Sequence, residues 1–308
     1  MSREQRDALN AYYRSLPRAE TPPTVEEQRI GYAAGVSRPA PQGVATRSTV
    51  LGGRPALELL PAEASGPGRL LFLHGGGYVI GSPDTHAGLA GELARRAGLQ
   101  AVSVDYRLAP EDPFPAAVDD GLAAYRELLA AGTDPRDIVV AGDSAGGGLS
   151  VAMLLVAREA RLPQPAAVVL FSPWVDLTLT GESMRSKADA DPIFTEADLR
   201  AYADLYLGAA DRAHPLASPV FADLTGLPPL LVQVGANELL LDDAVRLARR
   251  AGADDVEVTL EVGTGLPHVF QLHHGRLDEA DAALDRAARF FTGQLARHAG
   301  AARLESVH

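Results

Sequence analysis

The run Gly142-Asp143-Ser144-Ala145-Gly146-Gly147 follows the apolar stretch Ile138 to Ala141 and precedes a long helical pattern. It fits G-x-S-x-G, where a strand turns so sharply into a helix that the serine is strained and side chains two residues to either side would collide. The amino terminus of that helix offers free backbone N–H groups where negative charge could form. Taken alone, the run could also be a tight glycine-rich turn. A second, independent run, His74-Gly75-Gly76-Gly77, follows Leu70 to Leu73. Adjacent glycines leave their amides unhindered, so Gly75 and Gly76 can point two donors at a carbonyl oxygen as it becomes an oxyanion, with Ala145 as the third. A dinucleotide loop is the competing reading. Its G-x-G-x-x-G spacing is not met, since Gly75, Gly77 and Gly81 are spaced G-x-G-x-x-x-G, and only Asp105 could serve a ribose.

These runs need strands behind them and helices in front. Candidate strands are Val44 to Val50, Ala56 to Leu60, Leu70 to Leu73, Ala101 to Val104, Ile138 to Ala141, Val168 to Phe171, Leu230 to Val234 and Val256 to Val262. Candidate helices lie between them near Thr85 to Ala97, Pro115 to Ala131, Ala145 to Arg161, Asp242 to Ala251 and Leu277 to His298. The alternation predicts an α/β fold with a mostly parallel sheet covered on both faces. Two segments break the rhythm. Residues 1–42 hold two polar helical stretches, Arg3 to Leu16 and Thr24 to Ala34, separated by Pro17, Pro22 and Pro23. Residues 176–219 show no convincing strand, and Thr195-Glu196-Ala197-Asp198 has capping-box form. Both are expected to form a discontinuous helical cap over the carboxyl end of the sheet, with 43–175 and 220–308 as the two parts of the core.

Composition narrows the chemistry. The 308 residues carry 40 acidic and 28 basic side chains, a net charge of −12 that disfavours nucleic acid or an anionic membrane and favours a neutral or cationic substrate. With no cysteine there is no thiol nucleophile, disulfide or zinc–thiolate site. Lys187, between Ser186 and Ala188, is the only lysine, so no Walker-type phosphate loop exists. The amino-terminal residues lack an apolar segment and no stretch approaches a membrane span, which predicts a cytoplasmic protein.

The chain resembles the hormone-sensitive-lipase-like branch of the α/β-hydrolases, which includes bacterial carboxylesterases. The resemblance rests on His74-Gly-Gly-Gly-Tyr78, Asp105-Tyr-Arg-Leu-Ala-Pro-Glu111, Phe114-Pro-Ala116, Gly142-Asp-Ser-Ala-Gly-Gly147, Ser172-Pro-Trp-Val-Asp176 and Pro267-His-Val-Phe270, in the family's order. It implies an eight-stranded α/β-hydrolase sheet and a nucleophile, acid and base in the chain order Ser, Asp or Glu, His. Ser144 is then the nucleophile. The acid is Glu238, where the family usually has Asp; Asp242 is the alternative, although Asp242 and Asp243 more simply cap the next helix. The base is His268, in the loop after the last strand, ahead of His273 and His274, while His298 and His308 are terminal. No His-Glu-x-x-His or cysteine accompanies these histidines, so a metal reading fails. Asp105, Arg107 and Glu111 look like a buried ion cluster, and Asp143 an anchor for the elbow.

The implied activity is hydrolysis of esters with short to medium acyl chains, with no metal or organic cofactor. A lactonase or amidase would use the same residues, and a ligand-binding protein that has lost catalysis is the reading from another class. Tyr12, Tyr13, Trp174 and Phe194 are candidate pocket walls, although aromatic residues are more often core. The resemblance also implies a homodimer through the last strand.

Overall fold

The computed structural model describes residues 2–17, 23–64 and 66–305; Pro22, His308 and the side chain of His298 lie outside the described residues. Eight strands form one sheet: β1 (Val44–Leu51), β2 (Arg54–Pro61), β3 (Arg69–Leu73), β4 (Gln100–Val104), β5 (Ile138–Asp143), β6 (Ala167–Phe171), β7 (Leu230–Gly235) and β8 (Val258–Gly263). Their order is β1-β2-β4-β3-β5-β6-β7-β8. β1 pairs with β2, and β2 with β4, antiparallel; every later pairing is parallel. This is the mostly parallel architecture the apolar runs predict.

Every residue of β5, β6 and β7 is buried, as strands covered on both faces must be. Side chains alternate between two cores. Leu70 and Phe72 pack with α3 (Ala87–Ala97) and α9 (Asp278–Glu305). Leu71 and Leu73 face the opposite layer of α4 (Ala116–Ala130), α5 (Ala145–Glu159) and α8 (Leu241–Ala253). β3 lies between β4 and β5, so the chain crosses over β3 from one neighbour to the other. That switch point opens a crevice at the carboxyl ends of β3 and β5, where the two glycine-rich runs sit.

Two helices precede the sheet, α1 (Ser2–Ser15) and α2 (Val25–Val36). Two more, α6 (Ser183–Ser186) and α7 (Glu196–Leu207), fall between β6 and β7 with no strand among them. Thr24 caps α2 and Thr195 caps α7, each with a reciprocal bond to the acidic residue three positions on. α1 is tied to the loop after β8, where Arg6 and Asn10 donate to the carbonyls of Thr264 and Gly265 at 2.7 and 2.9 Å. On α2, Arg29 donates to Val79 O and pairs with Glu111. The expected cluster of Asp105, Arg107 and Glu111 therefore does not form. Arg107 forks onto Asp120, Glu111 turns to α2, and Asp105 bonds neither, because residues so close along a turn project in different directions. Among the described residues no helix is long and apolar enough to cross a membrane.

The turn from β5 into α5 is dictated sterically. Ser144 has φ +52°, and a Cβ on Gly142 would lie 2.3 Å from the carbonyl oxygen of Gly146. A Cβ on Gly146 would lie 2.0 Å from Leu73 O, backbone that cannot step aside. Gly146→Ala is expected to cost about 1–3 kcal/mol or more through overpacking and lower the thermal midpoint by roughly 2–4 °C per kcal/mol. Gly293→Ala, exposed on α9 with open space around it, should hold or raise the midpoint. Equal midpoints for the two variants in a thermal melt would refute the steric account.

Candidate active site

Four loops at the carboxyl ends of strands converge: residues 74–77 after β3, Ser144 after β5, Glu238 after β7 and His268 after β8. Ser144 Oγ lies 2.9 Å from His268 Nε2, and His268 Nδ1 lies 2.6 Å from Glu238 Oε2. This arrangement fixes the imidazole tautomer with its proton on Nδ1, leaving Nε2 free to accept from the serine. Glu238 is wholly buried, and its other oxygen accepts from Ser172 Oγ at 2.8 Å and from the Gly235 amide. Ser172 also accepts from Val269 N, so one hydroxyl ties Glu238 to the loop carrying His268.

Asp242 is elsewhere. Its carboxylate accepts from Ser183 N at 2.9 Å, and Asp243 accepts from Val175 N and Asp176 N. The expectation that these two aspartates cap α8 is also corrected. Leu240 holds the cap position, so both fall in the first turn of α8 with their side chains pointing at neighbouring segments.

Burial alone would push the His268 imidazole down. The Glu238 charge and hydrogen bond, with smaller help from Asp191 and Asp143, outweigh it and raise the pKa above the usual 6.5. Asp191 was not singled out in the sequence. It accepts from Ile193 N, Phe194 N and Leu239 N, clamping the segment before α7 against the residue after the acid. Burial raises its carboxyl pKa.

The glycine run differs from expectation by one residue. The Gly75 amide donates to Asp143 Oδ1 at 2.9 Å and is therefore not offered to a ligand. Gly76 and Gly77, with Ser144, line the cavity instead. Asp143 does anchor the elbow, bridging from β5 to the loop after β3, and its second oxygen lies 3.3 Å from the buried His86 Nε2. His86 is the residue at the start of α3 rather than within it, and its Nδ1 meets Thr85 Oγ1 at 2.8 Å. His74 stacks on Tyr106, and burial, reinforced by His86, takes its pKa down to about 3, so it is a neutral structural group.

The cavity beside Ser144 measures about 220 Å³. Tyr13, Trp174 and Phe194 line it as expected, and the Phe194 ring stands edge-on to His268 at 5.2 Å. Tyr12 does not. It is 55% exposed on the outer side of α1, because adjacent residues on a helix point about 100° apart. Tyr32 on α2 and Tyr202 on α7 also line the cavity and were missed, since which aromatic of a helix faces the site is decided by how the helix docks on the core. His273 bonds Tyr13 OH, and among the described residues no group of three His, Cys, Asp or Glu side chains could hold a metal ion.

The sheet, the elbow and the convergent loops define the α/β-hydrolase class of fold. The pattern of that family matches residues 70–272. The chain is 43% identical over 267 residues to an acetyl-hydrolase of Streptomyces hygroscopicus, covering 86% of this chain and 89% of that one. It is 40% identical over 236 residues to an esterase of Acinetobacter venetianus, covering 76% and 78%. A solved esterase from the bacterial hormone-sensitive lipase family superposes with a TM-score of 0.90 at 44% identity, over 95% of this chain and 98% of that one. The chain belongs to the α/β-hydrolase family, in its hormone-sensitive-lipase branch.

The raised His268 pKa sets a sign for pH dependence. The base must be neutral to accept a proton, so reaction of Ser144 with a fluorophosphonate is lost as pH falls through a value above 6.5. Glu238→Gln removes the charge that raises it, moving this limb to lower pH and slowing labelling by roughly 10²–10⁴. Asp242→Asn should change neither. Full reactivity of Glu238→Gln together with loss in Asp242→Asn would transfer the role to Asp242.

Proposed function

We propose that the protein is a carboxylesterase acting through an acyl-enzyme on Ser144. The observation that carries this is the unbroken hydrogen-bonded line from Ser144 through His268 to the buried Glu238, at 2.9 and 2.6 Å. His268 takes the Ser144 proton as the oxygen attacks an ester carbonyl, and Glu238 orients the imidazole and stabilises its cation. The amides of Gly76, Gly77 and Ala145 take the developing oxyanion, because Gly75 is held by Asp143. His268 then protonates the leaving alcohol, and a water activated by the same imidazole releases the acid.

In this reading residues 1–42 and 176–219 act as a cap that roofs the 220 Å³ cavity and sets its short to medium acyl preference. The names of the relatives, an acetyl-hydrolase and an esterase, support the same substrate class. The reading includes the dimer expected through the last strand. β8 is an edge of the sheet, and Val262 on it is 46% exposed. Light scattering that returns a monomer mass would remove that part alone.

The central test is hydrolysis of 4-nitrophenyl esters of increasing acyl length. Acetyl to hexanoyl esters should be turned over best, with Ser144→Ala reducing kcat on the order of 10⁵–10⁶. A folded wild type that neither hydrolyses these esters nor takes up a fluorophosphonate is a binding protein rather than an enzyme.

A further inference from the structure

Beyond the cavity at Ser144 lies a larger one of about 580 Å³, between α1, α2 and the segment from His273 to Leu277. The two share Tyr13, Tyr32 and Val36, so a single row of side chains separates them. In that row the Tyr13 hydroxyl lies 2.8 Å from His273 Nε2. The outer wall is apolar, and two of its residues, Tyr12 and Leu16, are 55% and 44% exposed. Contiguous apolar surface of this kind marks a place for a ligand or partner.

The charged lining is of one sign. Arg38 and Arg276 contribute it, and among the described residues no acidic residue lines the cavity, although acidic residues outnumber basic ones 40 to 28 in the chain. Nearby arginines are neutralised: Arg6 pairs with Glu279 and Arg29 with Glu111. Among the described residues Arg38 donates only to the carbonyls of Gly35 and Ser37. Among the described residues neither Arg38 nor Arg276 has a carboxylate within 4.0 Å. Burial first, and then these two guanidiniums, hold the pKa of His273 down at about 4, so at neutral pH the Tyr13–His273 link carries no charge of its own.

Two guanidiniums lining an apolar cavity suit an oxyanion at the end of an apolar chain. We propose that the outer cavity is a second binding subsite, taking the carboxylate or similar oxyanion at the far end of an ester whose scissile carbonyl sits at Ser144. The connecting chain passes Tyr13. This rests on the hydrolase reading above and adds a substrate class to it. It also reverses the preference for a neutral or cationic substrate suggested by net charge, because recognition follows the local lining and not the sum over the chain.

The test compares monoethyl esters of dicarboxylic acids with ethyl esters of fatty acids of matched length, across a series of chain lengths. In the wild type the ratio of kcat/KM, half-ester to neutral ester, should rise once the chain is long enough to reach the outer cavity. In the double variant Arg38→Gln with Arg276→Gln that ratio should fall about threefold to tenfold for the long half-esters, mainly through KM, the scale of exposed ion pairs. Arg276→Gln alone, an exposed change, should give part of the fall with an unaltered thermal midpoint. A ratio that is flat with chain length, or that the arginine changes leave alone, overturns the subsite and marks the two arginines as solvated surface. Loss of hydrolysis of every ester by the wild type would instead overturn the hydrolase reading.

Discussion

Glu238 is a carboxylate with no contact to solvent, and a charge in that position is tolerated only when each of its oxygens is met by a donor. One oxygen faces His268 Nδ1 and the other faces Ser172 Oγ and the Gly235 amide. Those three donors come from the ends of β8, β6 and β7, so satisfying one buried charge places three loops in register. Ser144, at the end of β5, then meets the imidazole that the carboxylate has oriented. If the sheet order were different, these donors would not share a neighbourhood, and the fully parallel stretch from β3 to β8 is what puts every one of these loops at the same edge.

The same device recurs around the site. Asp143 joins the elbow to the glycine loop through the Gly75 amide, and Asp191 joins the segment before α7 to the residue following Glu238. Asp176 and Asp243 form a third such point beneath them. The hydrogen bonds of Asp176 to Thr178, Thr180 and Arg246 outweigh its burial and hold its pKa down. Asp243 shows the opposite direction, pushed well up by burial and by its like-charged neighbour Asp176. Two adjacent carboxyl groups are thus shifted in opposite directions, the one bonded to Thr178, Thr180 and Arg246 downward and the more deeply buried one upward.

How much of this is legible in the amino-acid order depends on the range of the interaction. The inner strands were readable because parallel strands buried on both faces must be continuously apolar; seven of the eight runs fall within observed strands, and the eighth, Val256 to Val262, starts two residues ahead of β8. Ser144 was readable because the glycines around it answer a clash within five residues, and His268 because its loop follows the last strand. What was hidden depends on contacts between distant segments. The Gly75 amide looks free in sequence, and only the pairing of β3 beside β5 reveals that Asp143, 68 residues on, accepts its proton. Ser172 supporting Glu238 spans 66 residues, and Asp191 bonding Leu239 spans 48. Tyr12 and Tyr13 could not be told apart for a related reason: which of two neighbouring helical residues faces inward is decided by how α1 docks on the core.

The division between the core and the flanking helices then has a physical logic. The machinery at Ser144 is bound by buried carboxylates whose donors cannot be removed without stranding a charge, so its geometry has little room to vary. The walls from α1 and α2 are held differently, by surface bonds such as Arg6 to Thr264 O and Arg29 to Glu111, each of small net worth, whereas α7 buries Leu199, Ala203, Tyr206 and Leu207 in the core. Side chains on those helices, among them Tyr13, Tyr32 and Tyr202, face the cavity without bearing on the catalytic line. In the proposed reading, changing them alters what reaches Ser144 and leaves the Ser144–His268–Glu238 line in place, so the helical roof shares in setting the substrate range with Ile80, Trp174 and Val269, which line the same cavity from the core.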